Sequence, residues 1–154
     1  MLPRSYESQQ RCPVAKTLEI VGDRWTMLII REAFWGTRRF DDFTNRLGIA
    51  RTVLTDRLGR LVRDGVLRRD RYQQRPERFE YRLTDKGLDL WPVLMALRTW
   101  GDRYAMDGQP GFVVVHRDCG GRLDDRRICI KCGKALGPGD VSGMGVEAPP
   151  PRVA

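Results

Sequence analysis

Apolar residues recur with a helical period in two short segments near the middle of the chain. Each segment places its apolar residues about three or four positions apart, so that they share one helix face. These positions are Phe40, Phe43 and Leu47 in the first segment, and Leu54, Leu58 and Leu61 in the second. Gly48 lies between the segments and permits a tight turn, and Gly65 ends the second segment. The pattern predicts two amphipathic helices joined at Gly48.

The opposite face of the second predicted helix is polar. A helix with such a face, held at an angle by a partner helix, has the geometry that enters a DNA major groove. The outward residues are Thr52, Thr55, Asp56, Arg60 and Arg63, with Arg51 and Arg57 on the flanks. Helical hairpins are common in proteins, so this hairpin alone is a weak indication of DNA binding.

The segment after Gly65 changes to a strand-like period. Phe79, Tyr81 and Leu83 alternate with polar residues, which predicts a half-buried strand, and Pro76 lies in a polar connection over residues 73–78. Basic side chains along such a hairpin suit phosphates or a minor groove. They are Arg68, Arg69, Arg71, Arg75, Arg78 and Arg82. The order of elements predicts a winged helix-turn-helix.

Further helices are expected on both sides of this unit. Cys12-Pro13 opens one helix, and residues 25–35 are nearly all apolar, which predicts a buried helix, although their aromatic residues could instead line a ligand pocket. A long helix is expected from Thr84, as N-cap, to about Ala105, with a bend at Pro92. Its surplus apolar surface indicates subunit pairing, which would place two recognition helices about one DNA turn apart.

The excess positive charge of the chain is concentrated in the residues expected to form the winged helix-turn-helix. Residues 38–86 contain 14 basic and 8 acidic residues, a net charge of +6, while the whole chain of 154 residues carries +8. An ordinary solvated surface could also be this rich in arginine. Because the arginines fall on the second helix and the wing together, nucleic-acid binding is the favoured interpretation.

Other classes of protein fit the sequence poorly. No apolar run is long enough to cross a membrane, and we expect no secretory signal at the N-terminus. Four cysteines without such a signal indicate a reducing, cytoplasmic setting and a metal or redox role. We find no Ser/His/Asp set and no glycine loop that could hold a phosphate, so an enzyme is not expected.

A separate group of potential metal ligands follows the long helix. His116 and Cys119 form one pair, Cys129 and Cys132 form another, and nine residues separate the pairs. Each pair is followed by a glycine, which is typical of zinc knuckles, and four protein ligands indicate a structural site. Too few apolar residues surround the pairs to fold this segment without a metal. A ribbon that has lost its metal and a redox dithiol at Cys129 and Cys132 are the alternatives.

The chain from Cys12 to about Gly108 resembles the HxlR-type winged-helix regulators of the MarR-like group. The matching motifs are Cys12-Pro13, Gly22-Asp23-Arg24-Trp25, Phe40-Asp41-Asp42-Phe43, 49–58, 61–65 and 80–87. The resemblance implies a dimeric bacterial transcription factor, repressor or activator, that often answers a small molecule or oxidative stress. It places the DNA contacts of the recognition helix on Arg51, Thr52, Thr55, Asp56 and Arg60.

Cys12 is a candidate redox sensor through the same resemblance, because some family members sense oxidants or quinones with a cysteine at this place. A thiol at a helix N-terminus also has a stabilised thiolate. The alternative is a half-buried cysteine that only fills space.

Together these patterns predict a mainly α protein with a β-hairpin wing (α+β), a winged helix-turn-helix with a small C-terminal zinc-ribbon-like appendage. We expect an N-terminal arm over residues 1–11 and a DNA-binding and dimerisation domain over 12–109. A zinc-ribbon-like segment should follow over 110–136 and a flexible tail over 137–154. We expect a homodimer that binds double-stranded DNA through Arg51, Thr52, Thr55, Asp56, Arg60, Arg71, Arg75 and Arg78, and a protein-interaction adaptor is the alternative function.

Overall fold

A computed structural model describes residues 5–108 and 111–144. The chain forms two compact units that divide between Gly87 and Leu88. These units do not coincide with the 12–109 and 110–136 segments expected from the sequence, because the long helix after the wing clusters with the residues that follow it. None of the helices in these ranges has the length and apolar character needed to cross a membrane.

The first unit contains the helices that the sequence predicts. They are α1 (Pro13–Val21), α2 (Thr26–Phe34), α3 (Phe40–Leu47) and α4 (Arg51–Arg63). Pro13 occupies the first turn of α1, as expected. Gly48 ends α3 with a φ of 63°, a conformation that costs glycine little, and the chain then turns directly into α4. The predicted helix-turn-helix is therefore present.

The core of this unit is built from the apolar faces of these helices. Ile29, Ile30 and Phe43 are fully buried, and Leu54 and Leu58 of α4 pack with them into the same core. The expectation that α2 is buried on nearly all sides is wrong, because Leu28 is exposed and Phe34 and Trp35 are only partly buried. A helix at the edge of a small core cannot be covered all round.

The wing is an antiparallel hairpin of β1 (Leu67–Gln74) and β2 (Glu77–Leu83). Leu67 pairs with Leu83 at its base and Gln74 with Glu77 near its tip, so the strands extend into the connection predicted over 73–78. Only Arg75 and Pro76 remain between the strands. The ladder shifts register between Arg71 and Gln73, which places one extra residue in β1.

The helix expected from Thr84 to Ala105 is divided into α5 (Asp85–Leu88) and α6 (Trp91–Tyr104). Thr84 does act as a cap, since the Gly87 N–H donates to its Oγ1 at 3.1 Å. The break falls at Asp89 and Leu90, just before Pro92, because proline tolerates only the first turn of a helix. A new helix therefore starts where the sequence suggested a bend.

The second unit contains α6 and a small sheet of β3 (Val113–His116) and β4 (Val141–Met144). The prediction of a flexible tail from residue 137 is wrong for residues 138–144. Pro138–Asp140 forms a 3-10 turn, and β4 then pairs antiparallel with β3. Val141 is buried, so the apolar side chain and the strand pairing hold a segment whose glycine and proline content suggested disorder. The rest of the predicted tail lies outside the described residues.

Candidate nucleic-acid interface and metal centre

The N-terminal half of α4 presents an exposed polar face. Arg51, Thr52 and Thr55 are all exposed and lie one, three or four positions apart. Arg51 lies over the ring of Phe40, 4.7 Å from its centroid, and pairs with Asp41 at 2.7 Å. Both members of that pair are largely exposed, so the pair is weak and Arg51 can turn to another anion. The start of α4 therefore presents polar side chains to solvent.

The other two residues of α4 that were predicted to contact DNA, Asp56 and Arg60, form ion pairs within the protein. Asp56 accepts from Arg60 at 2.7 Å and also pairs with Arg57. Arg60 donates in addition to Asp23 of the α1–α2 connection at 2.8 Å, and only 19% of its side chain is exposed. Asp23, Asp56, Arg57 and Arg60, hereafter the Asp23 network, thus join α4 to the start of α2.

The tip of the wing carries arginines that protrude from the protein. Arg75 and Arg78 are exposed, and no carboxylate in the described ranges pairs with either. Arg71 is also exposed and lies 3.3 Å from Glu77 across the hairpin. Arg75 and Arg78, which have no such ion pair in the described ranges, are well suited to bind phosphates.

Contacts with the first helices hold the wing in place. The Tyr81 N–H donates to the Arg38 carbonyl at 2.8 Å, so the residues before α3 run alongside β2. Arg39 lies 4.8 Å from the centroid of the Tyr72 ring. Lys86 donates to the carbonyl of Asp64 at 2.6 Å, which joins the end of α4 to the start of α5. The wing is therefore fixed to the residues before α3, and the end of α4 is fixed to the start of α5.

Sequence reasoning missed the most buried charge of the first unit. Glu32 of α2 is only 2% exposed and accepts hydrogen bonds from three side chains. Arg31 donates to it at 2.9 Å, Thr37 at 3.2 Å, and Arg46 of α3 donates through Nε. The only signal was a glutamate inside an apolar run, and the partner Arg46 is 14 residues away. This cluster ties α2 to α3.

In the second unit the four predicted metal ligands converge. His116, Cys119, Cys129 and Cys132 place one donor atom each within 4.8 Å of the others. His116 Nδ1 lies 3.2 Å from Cys119 Sγ and 3.4 Å from Cys132 Sγ, and the sulfurs of Cys119 and Cys129 are 3.5 Å apart. Zinc bonds of about 2.3 Å to sulfur and about 2.0–2.1 Å to nitrogen require donor separations of about 3.5–3.8 Å in a tetrahedron. These residues could therefore hold a metal ion.

The two knuckles have the backbone that their glycines predict. Gly120 and Gly133 adopt φ values of 69° and 75°, and their N–H groups donate to the carbonyls of His116 and Cys129, each at 2.8 Å. A Cβ on Gly121 would lie 2.4 Å from Cys129 Sγ, so only glycine fits there. His116 Nε2, the ring nitrogen that faces away from the sulfurs, lies 3.4 Å from an oxygen of Asp118, too poorly aligned for a hydrogen bond.

The thiols of this cluster differ in acidity. Burial acts to raise the pKa of Cys129, but the backbone N–H groups of Cys132 and Lys131, with the neighbouring thiols, lower it to about 6. The Gly121 N–H acts to lower the pKa of Cys119, whereas burial and the sulfurs of Cys129 and Cys132 raise it above its ordinary value. The lowered pKa of Cys129 favours its thiolate, and thiolate is the form that binds metal.

Cys12 lies apart from this cluster, at the N-cap position of α1. Its thiol is free and partly buried, and its carbonyl accepts from the Lys16 N–H at 3.1 Å. Its side chain forms no capping hydrogen bond with the helix. The structure thus places a single thiol at the start of a helix.

Comparison with known proteins agrees with this architecture. Residues 20–109 match the model of the HxlR-like helix-turn-helix family, more than half of the chain. An HTH-type transcriptional regulator of Mycobacterium tuberculosis is 45% identical over 124 residues, which cover 80% of this chain and 78% of that protein. That match is longer than the family model, so the similarity continues beyond it.

Two solved structures cover different shares of this chain. PA1607, described as a transcription factor, is 37% identical with a TM-score of 0.72 and covers 92% of this chain and 99% of its own. The redox regulator HypR in its oxidized form is 33% identical with a TM-score of 0.56, and covers 60% of this chain and 96% of its own. Residues 1–109 are about 71% of this chain, so the match to PA1607 includes part of the second unit.

Proposed function

Because this chain belongs to the HxlR-like helix-turn-helix family of transcriptional regulators, we propose that it binds a promoter operator in the cytoplasm as a homodimer. The observation that carries the proposal is the exposed face of α4 beside a wing whose tip arginines have no acidic partner in the described ranges. We assign base contacts to Arg51, Thr52 and Thr55, and phosphate contacts to Arg71, Arg75 and Arg78.

The first experiment measures binding to the intergenic DNA beside the protein's own gene and to a scrambled duplex of equal composition. Arg51→Ala and Thr52→Ala should reduce the preference for the intergenic DNA, because they remove base contacts. Arg75→Ala and Arg78→Ala should weaken binding to both duplexes, and each should make the slope of log K against log salt shallower by about 0.9.

Arg126→Ala is the matched control, since it removes one exposed arginine of the second unit. It should leave the preference and the salt slope unchanged. If all four interface variants reduced binding to both duplexes equally, the division between α4 and the wing would be refuted. Binding with no salt dependence would favour the protein-interaction adaptor instead.

We propose that α6 forms the dimer interface. Val93, Leu97, Trp100 and Tyr104 follow one another at helical spacing and are all exposed, whereas Trp91, Leu94 and Met95 of the same helix are buried. An apolar stripe opposite a buried face is typical of a helix that pairs with a second subunit. Pairing through α6 would give each dimer two copies of α4 and the wing.

We propose that zinc binds the four ligands of the second unit. The donor set is one imidazole and three thiols, all four donor atoms lie within 4.8 Å of one another, and four protein ligands leave no open coordination position. The role that follows is structural: the ion would hold two knuckles together in a unit with few buried apolar residues.

We also propose that oxidants modulate DNA binding through Cys12, with a small-molecule effector as the other possible signal. The position of this thiol at a helix N-terminus and the similarity to the redox regulator HypR support the proposal. Mild quinone or peroxide treatment should modify Cys12, as detected by mass spectrometry, and lower DNA affinity in the wild type but not in Cys12→Ser. If the treated protein stays unmodified and still binds DNA, redox sensing through Cys12 is ruled out.

A further inference from the structure

The recognition helix carries two arginines whose charge is balanced inside the protein. Arg57 and Arg60 of α4 share the carboxylates of Asp23 and Asp56, so the Asp23 network contains two positive and two negative charges. Arg57 and Arg60 are only 17% and 19% exposed. In this arrangement neither arginine adds net positive charge to the DNA-facing side of α4.

Asp23 is the member of the network that lies outside α4. It belongs to the connection between α1 and α2, in the motif Gly22-Asp23-Arg24-Trp25 that sequence analysis singled out. Its Oδ2 accepts from Arg60 Nη1 at 2.8 Å and lies 3.7 Å from Arg57 Nη1. The Arg24 carbonyl beside it accepts from Arg57 Nε at 3.3 Å. This connection therefore holds both arginines from outside the helix.

We propose that Asp23 is a specificity-determining residue of the DNA-binding surface. An unrestrained arginine binds any phosphate, so two free arginines on α4 would strengthen binding to every sequence alike. Holding them on Asp23 and Asp56 leaves recognition by α4 to Arg51, Thr52 and Thr55. This inference rests on the proposed function, since it concerns the same DNA-binding face.

The test compares wild-type protein with Asp23→Asn on the intergenic duplex and its scrambled counterpart over a range of salt concentrations. Asparagine has nearly the same shape but no charge, so Asp56 alone would then face two arginines. Affinity for the scrambled duplex should rise about 3–10-fold, and its slope of log K against log salt should become steeper by about 0.9. The ratio of the two affinities should fall.

Two further variants separate this role from a purely structural one. Asp23→Asn combined with Arg60→Gln restores a neutral network and should return scrambled-duplex affinity and slope to wild-type values. Asp125→Asn makes the same change of charge and releases Arg103 in the second unit, where the pair is 2.6 Å apart. This control should leave the affinity ratio unchanged.

The outcomes are distinct. Equal loss of affinity for both duplexes in Asp23→Asn, with an unchanged salt slope, would show that Asp23 only supports the fold and would overturn the inference. An equal gain in Asp125→Asn would overturn it too, since net charge alone would explain the effect. Wild-type protein that binds neither duplex would contradict the proposed function itself, whereas wild-type binding unaffected by Asp23→Asn contradicts the inference alone.

Discussion

At the scale of single residues, the buried carboxylate of Glu32 joins α2 to α3, the first helix of the helix-turn-helix. It meets Arg31 from its own helix, Arg46 from α3 and Thr37 from the connection between them. A charge removed from water is tolerated only when it is paired and hydrogen-bonded. Arg31 donates to one oxygen of Glu32, and Thr37 and Arg46 donate to the other. Glu32 thus adds a buried ion pair to the apolar packing of Ile29, Ile30 and Phe43 between α2 and α3.

Glu32→Gln should lower the free energy of unfolding by about 2–4 kcal/mol, because two partly buried arginines would lose their counter-charge. Urea denaturation followed by circular dichroism measures this change. Glu77→Gln removes the exposed ion pair with Arg71 and should cost less than about 1 kcal/mol. Equal effects of the two substitutions would mean that the burial of Glu32 has no energetic consequence.

At the scale of elements, the junction between the wing and α5 depends on close packing at Gly87. A Cβ at this position would lie 2.2 Å from the Val66 carbonyl oxygen and 2.9 Å from a methyl carbon of Leu83. The backbone of α5 can therefore approach the base of the hairpin only where no side chain intervenes. Thr84 caps the same helix and holds it against Gly65 and Val66.

Gly87→Ala should destabilise the protein by about 1–3 kcal/mol, because backbone must move to admit the methyl group. Gly59→Ala is the matched control: a Cβ there meets nothing within 4 Å, so the better helix propensity of alanine should stabilise α4 by about 0.5–1 kcal/mol. Thermal unfolding of both variants checks the expected opposite signs. A Gly87→Ala protein as stable as wild type would rule out the tight packing.

The two knuckles of the second unit lead to a prediction about the metal content of the protein. Freshly purified protein should contain one zinc per chain by elemental analysis, and Cys129→Ser with Cys132→Ser should abolish it, because only two ligands remain. Hydrogen exchange over residues 113–144 should then become fast, since metal binding and folding are coupled in such small units. Cys12→Ser should keep its zinc. Wild-type protein without stoichiometric metal would contradict the assignment.

At the scale of the whole molecule, the question is the number of subunits. Leu97→Glu with Trp100→Glu places two charges in the α6 stripe and should convert a dimer into a monomer in sedimentation equilibrium. Affinity for the intergenic duplex should fall about 100-fold, because two linked contacts become one. Ile130→Glu is the control: Ile130 is 68% exposed, like Trp100 at 64%, but lies in a knuckle. It should remain dimeric.

If wild-type protein were already monomeric, or if Ile130→Glu dissociated it equally, the α6 interface would be wrong. Binding of a monomer to the intergenic duplex with unchanged affinity would instead remove the need for two copies of α4. The measurements therefore separate the interface from its role in DNA binding.

Local patterns in the sequence were sufficient to predict the helices, the wing and the ligand spacing. Interactions between neighbours in the chain form the two helices and the strand. The helices were predicted from the apolar period between Phe40 and Leu61 and the glycine at 48, and the strand from the alternation between Phe79 and Leu83. The structure has these elements. Likewise, the ligands within each pair, His116/Cys119 and Cys129/Cys132, lie close together because each knuckle is a local turn. The family relationship followed from the same motifs.

Only the tertiary structure decided which polar side chains remain available to solvent. Arg60 has the spacing of an outward residue, yet it meets Asp23, 37 positions earlier, and Glu32 meets Arg46 across two helices. The pairing of Val141–Met144 with Val113–His116 likewise joins segments about 28 residues apart. Such contacts depend on which surfaces pack together in three dimensions, so they cannot be predicted from local periodicity in the sequence. The sequence determined the elements that we propose to face DNA, and the packing determined which of their charges remain unpaired.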